Sequence, residues 1–120
     1  MTQIERIRKS RAVKIVSAGR KFTVCRPTDL EMLELNRVGP ISQGDILHKF
    51  VIGWEGFTEA DLFPGGTGEP VPFEKGIFAE WIADHPEHWN DISTAVVDAY
   101  KAHKEKQEAT AKNSVPGSTA

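Results

Sequence analysis

Four side chains near residue 88 have the types from which metal sites are built. They are Asp84, His85, His88 and Asp91, and imidazole and carboxylate groups are both zinc ligands. Pro86 stands between the two histidines, at a position that favours the start of a helix. Asp84 therefore fits better as the N-terminal cap of that helix than as a ligand, and we expect no metal site.

Three carboxylates in the segment VIGWEGFTEADLFPGG, residues 51–66, offer general acid/base chemistry. They are Glu55, Glu59 and Asp61. Nothing around them marks a nucleophile or a raised carboxyl pKa, so solvated or capping roles fit better. Cys25 lies in the alternating run FTVCR, which favours a small buried hydrophobe over a nucleophile. Because no Ser-His-Asp set can be assembled by motif either, we expect a non-enzymatic protein with no catalytic residue and no cofactor.

The loop GGTGEP, residues 65–70, has the glycines of a phosphate-binding loop. It lacks the Gly-Lys-Ser/Thr ending of that loop and does not follow a convincing strand. A flexible connection between two helices is the better interpretation.

Charge is segregated along the chain, although the net charge is −2. Residues 1–26 carry a charge of +7, residues 27–99 carry −11, and residues 100–120 carry +2. A basic arm of this kind suggests nucleic acid, but an edge hairpin attracted to its own acidic body accounts for the same charge. Zinc spacing, an aromatic RNA-binding signature and a helix-turn-helix are all missing from the sequence, so nucleic-acid binding is kept as an alternative.

The chain has 120 residues, a length that suits a single domain. Its first half predicts a hairpin followed by two helices. Two apolar runs within residues 11–26, separated by a glycine-containing loop, predict an antiparallel β-hairpin. Thr28 and Glu31 form a capping box for a short helix. Ser42 can cap a second helix, whose apolar stripe leads to a stop at Gly53.

The second half is predicted to be helical. Thr58 and Asp61 can cap a single turn, and an apolar stripe marks a helix over residues 73–84. A last helix begins at Pro86 and keeps an apolar face as far as Tyr100.

These elements predict an α+β fold that is mostly helical. The β-hairpin packs on about four helices, and the C-terminal helix is long. Residues 1–112 form a single globular domain, in which residues 101–112 are a polar helical extension. Residues 113–120 are predicted to be a disordered tail.

Most of the aromatic side chains are assigned to the core because they fall on apolar stripes or beside them. This core set is Phe50, Trp54, Phe78, Trp81 and Trp89. Phe57, Leu62 and Phe63 lie in a glycine-flanked segment that a small protein has difficulty covering. We predict that these three, with Trp54 beside them, form a partly exposed patch that binds a partner protein or a second copy of the chain.

Residues 50–103 carry a pattern of order and spacing. It reads V-x-G-W-x-G-F-T-E-A-D-L, then a loop with proline, then P-F-x-x-x-x-F-x-x-W-I-A-D-x-P-x-x-W and a helix that ends in D-A-Y. This region resembles the tail assembly chaperones of long-tailed bacteriophages and related prophages. Residues 1–49 are similar in character only, as a basic hairpin followed by a helix.

The resemblance implies a role in virion morphogenesis without catalysis. Such chaperones bind the long, apolar tape measure protein, keep it soluble and promote assembly of the tail tube around it. They act in the cytoplasm of the bacterial host and are absent from the mature virion. Family members can self-associate, so a weak homo-oligomer is expected, and no membrane partner is expected. The alternative function is a basic-armed nucleic-acid-binding or regulatory phage protein, and the third is a small metal-dependent enzyme.

The resemblance also implies a longer form, made by a programmed ribosomal frameshift, whose extension recruits tail-tube protein. Residues 111–113, AKN, can be encoded GCA AAA AAC, which contains the slippery heptamer A AAA AAC. Ordinary helix-end and tail residues account for the same three letters. We expect the slip at or near Lys112, which the codons of the gene decide.

Overall fold

A computed structural model describes residues 1–37 and 39–114, with side chains described as far as residue 111. The helices are α1 (Gln3–Lys9), α2 (Asp29–Asn36), α3 (Gln43–Phe50), α4 (Glu59–Leu62), α5 (Lys75–Ile82) and α6 (Trp89–Ser114), with a 3₁₀ turn at Pro86–His88 before α6. The strands are β1 (Ala12–Ser17), β2 (Arg20–Cys25) and β3 (Val51–Glu55). The predicted α+β class, with a hairpin and a long C-terminal helix, is confirmed.

The predicted hairpin is present within residues 11–26. Strands β1 and β2 are antiparallel and in register from Ala12 opposite Cys25 to Ser17 opposite Arg20. The two-residue turn between them has positive φ at Ala18 (46°) and Gly19 (80°). Positive φ at both central positions gives a twist that matches the strands, which fixes this register.

The prediction that the second helix stops at Gly53 is wrong, because helix α3 ends at Phe50 and the chain continues directly as strand β3. β3 pairs antiparallel with β2 and completes a sheet of order β1-β2-β3. The β-branched Val51 and Ile52 fit a pleated strand better than a helix. Gly53 lies within the strand, where its Cα faces the Thr23 side chain on β2.

One face of the sheet carries the core. The buried apolar residues are Phe22, Val24 and Val51 of the sheet, Ile46, Leu47 and Phe50 of α3, Phe57, Phe78, Trp81 and Ile82 of the α4–α5 region, and Ile92 and Val96 of α6. Of the aromatic residues assigned to the core from sequence, Phe50, Phe78 and Trp81 are buried, whereas Trp54 and Trp89 are partly buried and pack against the cluster. Lys14 and Lys21 lie exposed on the opposite face of the sheet.

Helix α1 has no counterpart in the predicted elements. Thr2 caps it by accepting a hydrogen bond from the Glu5 amide at 3.1 Å, and every residue of the helix is exposed. The chain leaves α1 for β1 at Arg11, whose carbonyl accepts a hydrogen bond from the Arg26 amide at 2.8 Å. The C-terminal end of α1 therefore lies at the end of the sheet that is opposite the hairpin turn.

The polar C-terminal extension is held against the body of the protein by Asp29, at the start of α2. The Asp29 carboxylate accepts hydrogen bonds from Tyr100 Oη and Gln107 Nε2, each at 2.9 Å, and His103 and Lys104 lie 3.5 Å from it. The hydrogen bond from Gln107, followed by that from Tyr100, holds the pKa of Asp29 well below its usual range. Four side chains on successive turns of α6 thus meet one carboxylate.

Helix α6 continues two residues beyond the predicted end of the extension at 112, as far as Ser114. Residues 113 and 114, assigned to the disordered tail, are therefore helical, because the helix-forming run before them carries the hydrogen-bond ladder onward. Residues 115–120 lie outside the described part of the chain. Among the described helices, none has the combination of length and apolar content that a membrane crossing needs.

Candidate partner-binding groove

The predicted partner patch divides into buried and exposed parts. Phe57 is only 2% exposed, so its assignment to an exposed patch is wrong. Its ring stacks on Trp54, with the centroids 4.2 Å apart, and meets Trp81 edge-on at 5.1 Å. Leu62 is partly buried, while Phe63 is 50% exposed.

Phe57 is buried because the chain turns back toward the core directly after strand β3. Gly56 has a φ of 74°, a conformation that suits glycine, and it directs the next residue back toward the core. The Phe57 carbonyl then accepts a hydrogen bond from the Val71 amide at 2.9 Å, which closes the long loop over the ring. The Trp54 side chain also has an internal partner, because its Nε1–H donates a hydrogen bond to the Val71 carbonyl at 2.9 Å.

Leu62 and Phe63 form one wall of an open groove with a volume of about 630 Å³. The other wall is α5 and the residue before it, with Ile77 and Trp81 as apolar contacts. Glu74 and Glu80 also line the groove. The result is an apolar floor with carboxylates at its edges, on the surface of the molecule.

Helix α4 is held in place by hydrogen bonds that make one wall of the groove rigid. Asp61 Oδ2 accepts from the Thr58 amide at 2.8 Å and from its hydroxyl at 2.9 Å, as the predicted cap requires. Asp61 Oδ1 pairs with Arg20 at 2.9 Å. Trp81 Nε1–H donates to the Asp61 carbonyl at 3.1 Å, which ties α5 to α4 across the base of the groove.

The loop that follows α4 is anchored, contrary to the flexible connection predicted for residues 65–70. The Glu59 amide donates to the Glu69 carbonyl at 3.0 Å, and the Ala60 amide donates to the Thr67 carbonyl at 2.8 Å. Gly66 is so close to α4 that a Cβ on it would overlap the Glu59 carbonyl. Gly66 therefore serves close backbone packing, whereas Gly65 supplies a φ of 88° that suits glycine.

The three candidate acid/base carboxylates have structural contacts. Glu55 pairs with Lys14 at 3.0 Å, and Glu59 accepts from the Thr67 amide at 3.1 Å. Hydrogen bonds from Thr58, backbone first, lower the pKa of Asp61, and the hydrogen bond from Lys14 lowers the pKa of Glu55. A general acid at neutral pH needs the opposite shift.

Cys25 has an environment that does not activate a thiol. Its side chain is partly buried, and burial is the main cause that raises its pKa. A raised pKa reduces the thiolate fraction on which nucleophilic attack depends.

The four candidate metal ligands near residue 88 do not converge on one point. Over the described part of the chain, no three His, Cys, Asp or Glu side chains are placed to hold a metal ion. The His85 ring stacks on Trp81 with centroids 4.0 Å apart. Asp84 is exposed, and His85 occupies the N-cap position without a side-chain cap bond, so the capping role predicted for Asp84 is wrong. Residues Pro86–His88 form a 3₁₀ turn, so the α-helix that was predicted to begin at Pro86 begins three residues later, at Trp89.

Sequence patterns did not indicate a polar network that joins the buried Ser17 and His88 to the exposed Asp91. Ser17 Oγ donates to Asp91 Oδ2 at 2.6 Å and lies 2.8 Å from His88 Nδ1. Because the single hydroxyl proton goes to Asp91, the contact with His88 requires the imidazole Nδ1–H to donate to Ser17. Ser17 is 1% exposed and bridges the other two residues, whereas a catalytic serine would be accessible and bound to a histidine that the acid orients. The network joins β1 to the start of α6.

Lower pH should weaken the fold through His88. Burial is the main cause that lowers the pKa of His88, and His85 and Arg20 act in the same direction, against Glu87 and Asp91. The unfolded chain therefore binds a proton here more readily than the folded chain does. The free energy of unfolding should be fully retained above about pH 6.5 and should fall as the pH drops from there toward the lower folded pKa.

Urea unfolding at about pH 7.5, 6.5 and 5.5 measures this slope, above the range in which carboxylates such as Asp29 titrate. His48 is exposed and supplies the control. His48→Gln should keep the slope, and His88→Gln should flatten it. An equal slope in wild type and His88→Gln would contradict the assignment.

Comparison of the chain with known protein families, curated proteins and solved structures finds no match. The groove therefore has to be interpreted from its own residues. Leu62 and Phe63 belong to the predicted partner site, while Glu74, Ile77, Glu80 and Trp81 were not predicted to line it. Ile77 and Trp81 lie four residues apart on one helix face, and this spacing indicates a core stripe as much as a groove wall.

Proposed function

We propose that this protein is a tail assembly chaperone of a long-tailed bacteriophage or related prophage, and that it binds apolar segments of the tape measure protein in the groove between α4 and α5. The observation that carries the proposal is an apolar floor open to the surface, with Phe63 half-exposed at its wall. Exposed apolar surface of this kind marks protein-binding sites. The sequence pattern that resembles the chaperone family includes both walls of this groove.

The groove supports helix-in-groove binding. An amphipathic helix places apolar side chains at positions i, i+3 and i+4 into such a site. Leu62 and Phe63 on one wall and Ile77 on the other shield apolar surface of the bound segment from water. Glu74 and Glu80 favour segments that carry Lys or Arg beside their apolar positions. The groove is open to the surface, which suits repeated binding and release along a long chain more than a permanent complex.

A neighbouring gene for a very long tape measure protein is expected under this proposal, and co-expression with its product tests the proposal. Phe63→Ser with Ile77→Ser removes apolar contacts from both walls and should cause a severalfold loss of soluble tape measure protein. The matched control is Leu30→Ser with Leu33→Ser, which removes two exposed leucines, 66% and 62% accessible, from α2. Circular dichroism and urea unfolding establish that both variants are folded. Unchanged soluble tape measure protein with the folded groove variant would refute the proposed site.

The remaining parts of the proposal follow from the family resemblance. They are action in the host cytoplasm, absence from the mature virion, and a frameshifted longer form that recruits tail-tube protein. Helix α6 supports the last of these, because it projects a continuous helix to Ser114, where an extension would begin.

The rival function is nucleic-acid binding by the basic arm. Three of its eight cations are already engaged within the chain: Lys14 with Glu55, Arg20 with Asp61, and Arg26 with the Pro27 carbonyl. This reduces the charge available for phosphate contacts and favours the chaperone proposal. Retardation of duplex or single-stranded nucleic acid that weakens steeply with salt would favour the rival instead.

A further inference from the structure

Helix α2 lies on the surface of the protein, and none of its eight residues is buried. Leu30 and Leu33 face outward, at 66% and 62% exposed. On the inner side, Met32 and Leu35 are partly buried, and Leu35 packs against the core cluster. An isolated helix of this length is marginal in water, where about 12–15 residues are needed. α2 is therefore kept in place by a small number of tertiary contacts.

The inner side of α2 covers an apolar seam where α3 meets α6. Between α2 and this seam lies a void with a volume of about 30 Å³. Side chains of all three helices line it: Met32, Leu35, Ile46, Phe50, Val96 and Tyr100. Atoms that border a void lack van der Waals partners on that side, so α2 gains less packing energy here than a close-packed helix does. Ile46 and Phe50 belong to the core, at 7% and 2% exposed, so displacement of α2 brings water to core side chains.

Asp29, the first residue of α2, makes the polar contacts that join α2 to α6. Its carboxylate accepts hydrogen bonds from Tyr100 Oη and Gln107 Nε2, each at 2.9 Å. His103 and Lys104 lie 3.5 Å from the same carboxylate. Among the described side chains, no other member of α2 forms a hydrogen bond or an ion pair with α6. The Asp29 side chain is 47% exposed, so water replaces these partners when the contact opens, and no buried polar group is left unpaired.

We propose that α2 is a lid over the apolar seam between α3 and α6, that Asp29 latches this lid to residues 100–107 of α6, and that release of the latch exposes the seam. A partner that draws the polar side chains of α6 away from Asp29 would open the lid. Opening of the lid would, by the same linkage, free the C-terminal part of α6. This inference is independent of the proposed function, because neither the α4–α5 groove nor the tape measure protein enters into it.

Native-state hydrogen exchange of the full chain, followed by NMR, tests whether α2 opens separately. Amide hydrogens of α2 should exchange roughly tenfold or more faster than those of β2 and α3, which belong to the core. Their exchange should also depend only weakly on low concentrations of urea, because opening of the lid exposes little surface compared with global unfolding. Equal rates and equal urea dependence in α2 and α3 would mean that α2 opens only with the whole domain, and would overturn the proposal.

Tyr100→Phe with Gln107→Ala tests the latch from the side of α6. This variant removes both hydrogen bonds to Asp29, keeps an aromatic ring at position 100 and leaves every residue of α2 in place. Exchange of the α2 amides should accelerate roughly threefold to tenfold, while that of β2 and α3 stays as in wild type. Unchanged exchange in α2 would overturn the latch. Equal acceleration in α2, α3 and β2 would indicate loss of global stability and would also overturn it.

Glu105→Ala is the matched control, since Glu105 is an exposed residue of the same stretch of α6 and has no contact with Asp29. Alanine favours a helix at both 105 and 107, so helix propensity does not account for a difference between the variants. The control should leave exchange in α2 unchanged, and acceleration there would overturn the role of Asp29.

Asp29→Asn tests the coupling in the opposite direction. The amide hydrogens of residues 103–107 should exchange severalfold faster, although the substitution lies on α2. Unchanged exchange in that part of α6 would overturn the coupling between the lid and the helix.

Discussion

Trp81→Ala should lower the free energy of unfolding by about 3–5 kcal/mol, the range for truncating a large buried aromatic side chain. Trp81 is 5% exposed, and its ring lies 6.1 Å from that of Phe22 and 5.1 Å from that of Phe57. Its indole N–H also donates to the Asp61 carbonyl. The substitution removes packing from the centre of the aromatic cluster and leaves that carbonyl without its donor. Urea denaturation measures the loss.

Trp89→Ala provides the matched comparison on α6. Trp89 also donates through its indole N–H, to the Ile82 carbonyl at 2.7 Å, but its side chain is only partly buried. The sequence alone predicts equal costs for the two tryptophans, since both lie on apolar stripes. The structure predicts a smaller loss for Trp89→Ala. Equal losses, or a loss below about 1 kcal/mol for Trp81→Ala, would show that burial of Trp81 is not what stabilises the core.

Local signals in the sequence predict the elements that depend on neighbouring residues. The capping box of Thr28 and Glu31 is present as both reciprocal hydrogen bonds, 3.1 Å and 2.9 Å. Ser42 caps α3 as predicted, by accepting from the Asp45 amide at 3.1 Å. The hairpin follows equally from its alternation and turn. Each of these features is determined within about four residues, a distance over which sequence patterns are informative.

Sequence patterns did not predict the features that depend on residues distant in the chain. The segment Val51–Glu55 becomes a strand because β2 offers it an edge, and that edge lies some thirty positions earlier in the chain. Phe57 is buried for the same reason, since its cover is formed by Trp81 and by the loop that returns at Val71. Tertiary pairing of this kind overrides local propensity.

The candidate site shows the same division. Phe63 could be predicted because a proline and two glycines directly after it leave a large apolar side chain with little local cover. The other wall of the groove could not be predicted, because Ile77 and Trp81 lie on a stripe that reads as core. Trp81 belongs to both the core and the groove. A periodic pattern gives the direction of a side chain but not whether another element covers it.

Ser17→Ala should lower the free energy of unfolding by about 1–3 kcal/mol, although it removes a single oxygen atom. The hydroxyl of Ser17 links His88 to Asp91, and Ser17 is buried. Without it, the His88 Nδ1–H loses its acceptor in a buried site and the Asp91 carboxylate loses a donor. Unfolding in urea at about pH 8, where an ordinary imidazole is neutral and His88, with its lowered pKa, is neutral too, isolates this effect from protonation.

Ser10→Ala is the control for the loss of a serine hydroxyl. Ser10 donates to the Ile7 carbonyl at the exposed end of α1, where water can replace the bond. Its substitution should change the free energy of unfolding by no more than about 0.5 kcal/mol. If Ser17→Ala changed the free energy of unfolding equally little, the network would not hold β1 to α6. Apolar packing alone would then join the sheet to the helices. A cost confined to Ser17 would instead mean that this buried polar contact, between residues more than 70 positions apart, helps to fix how the hairpin sits on α6.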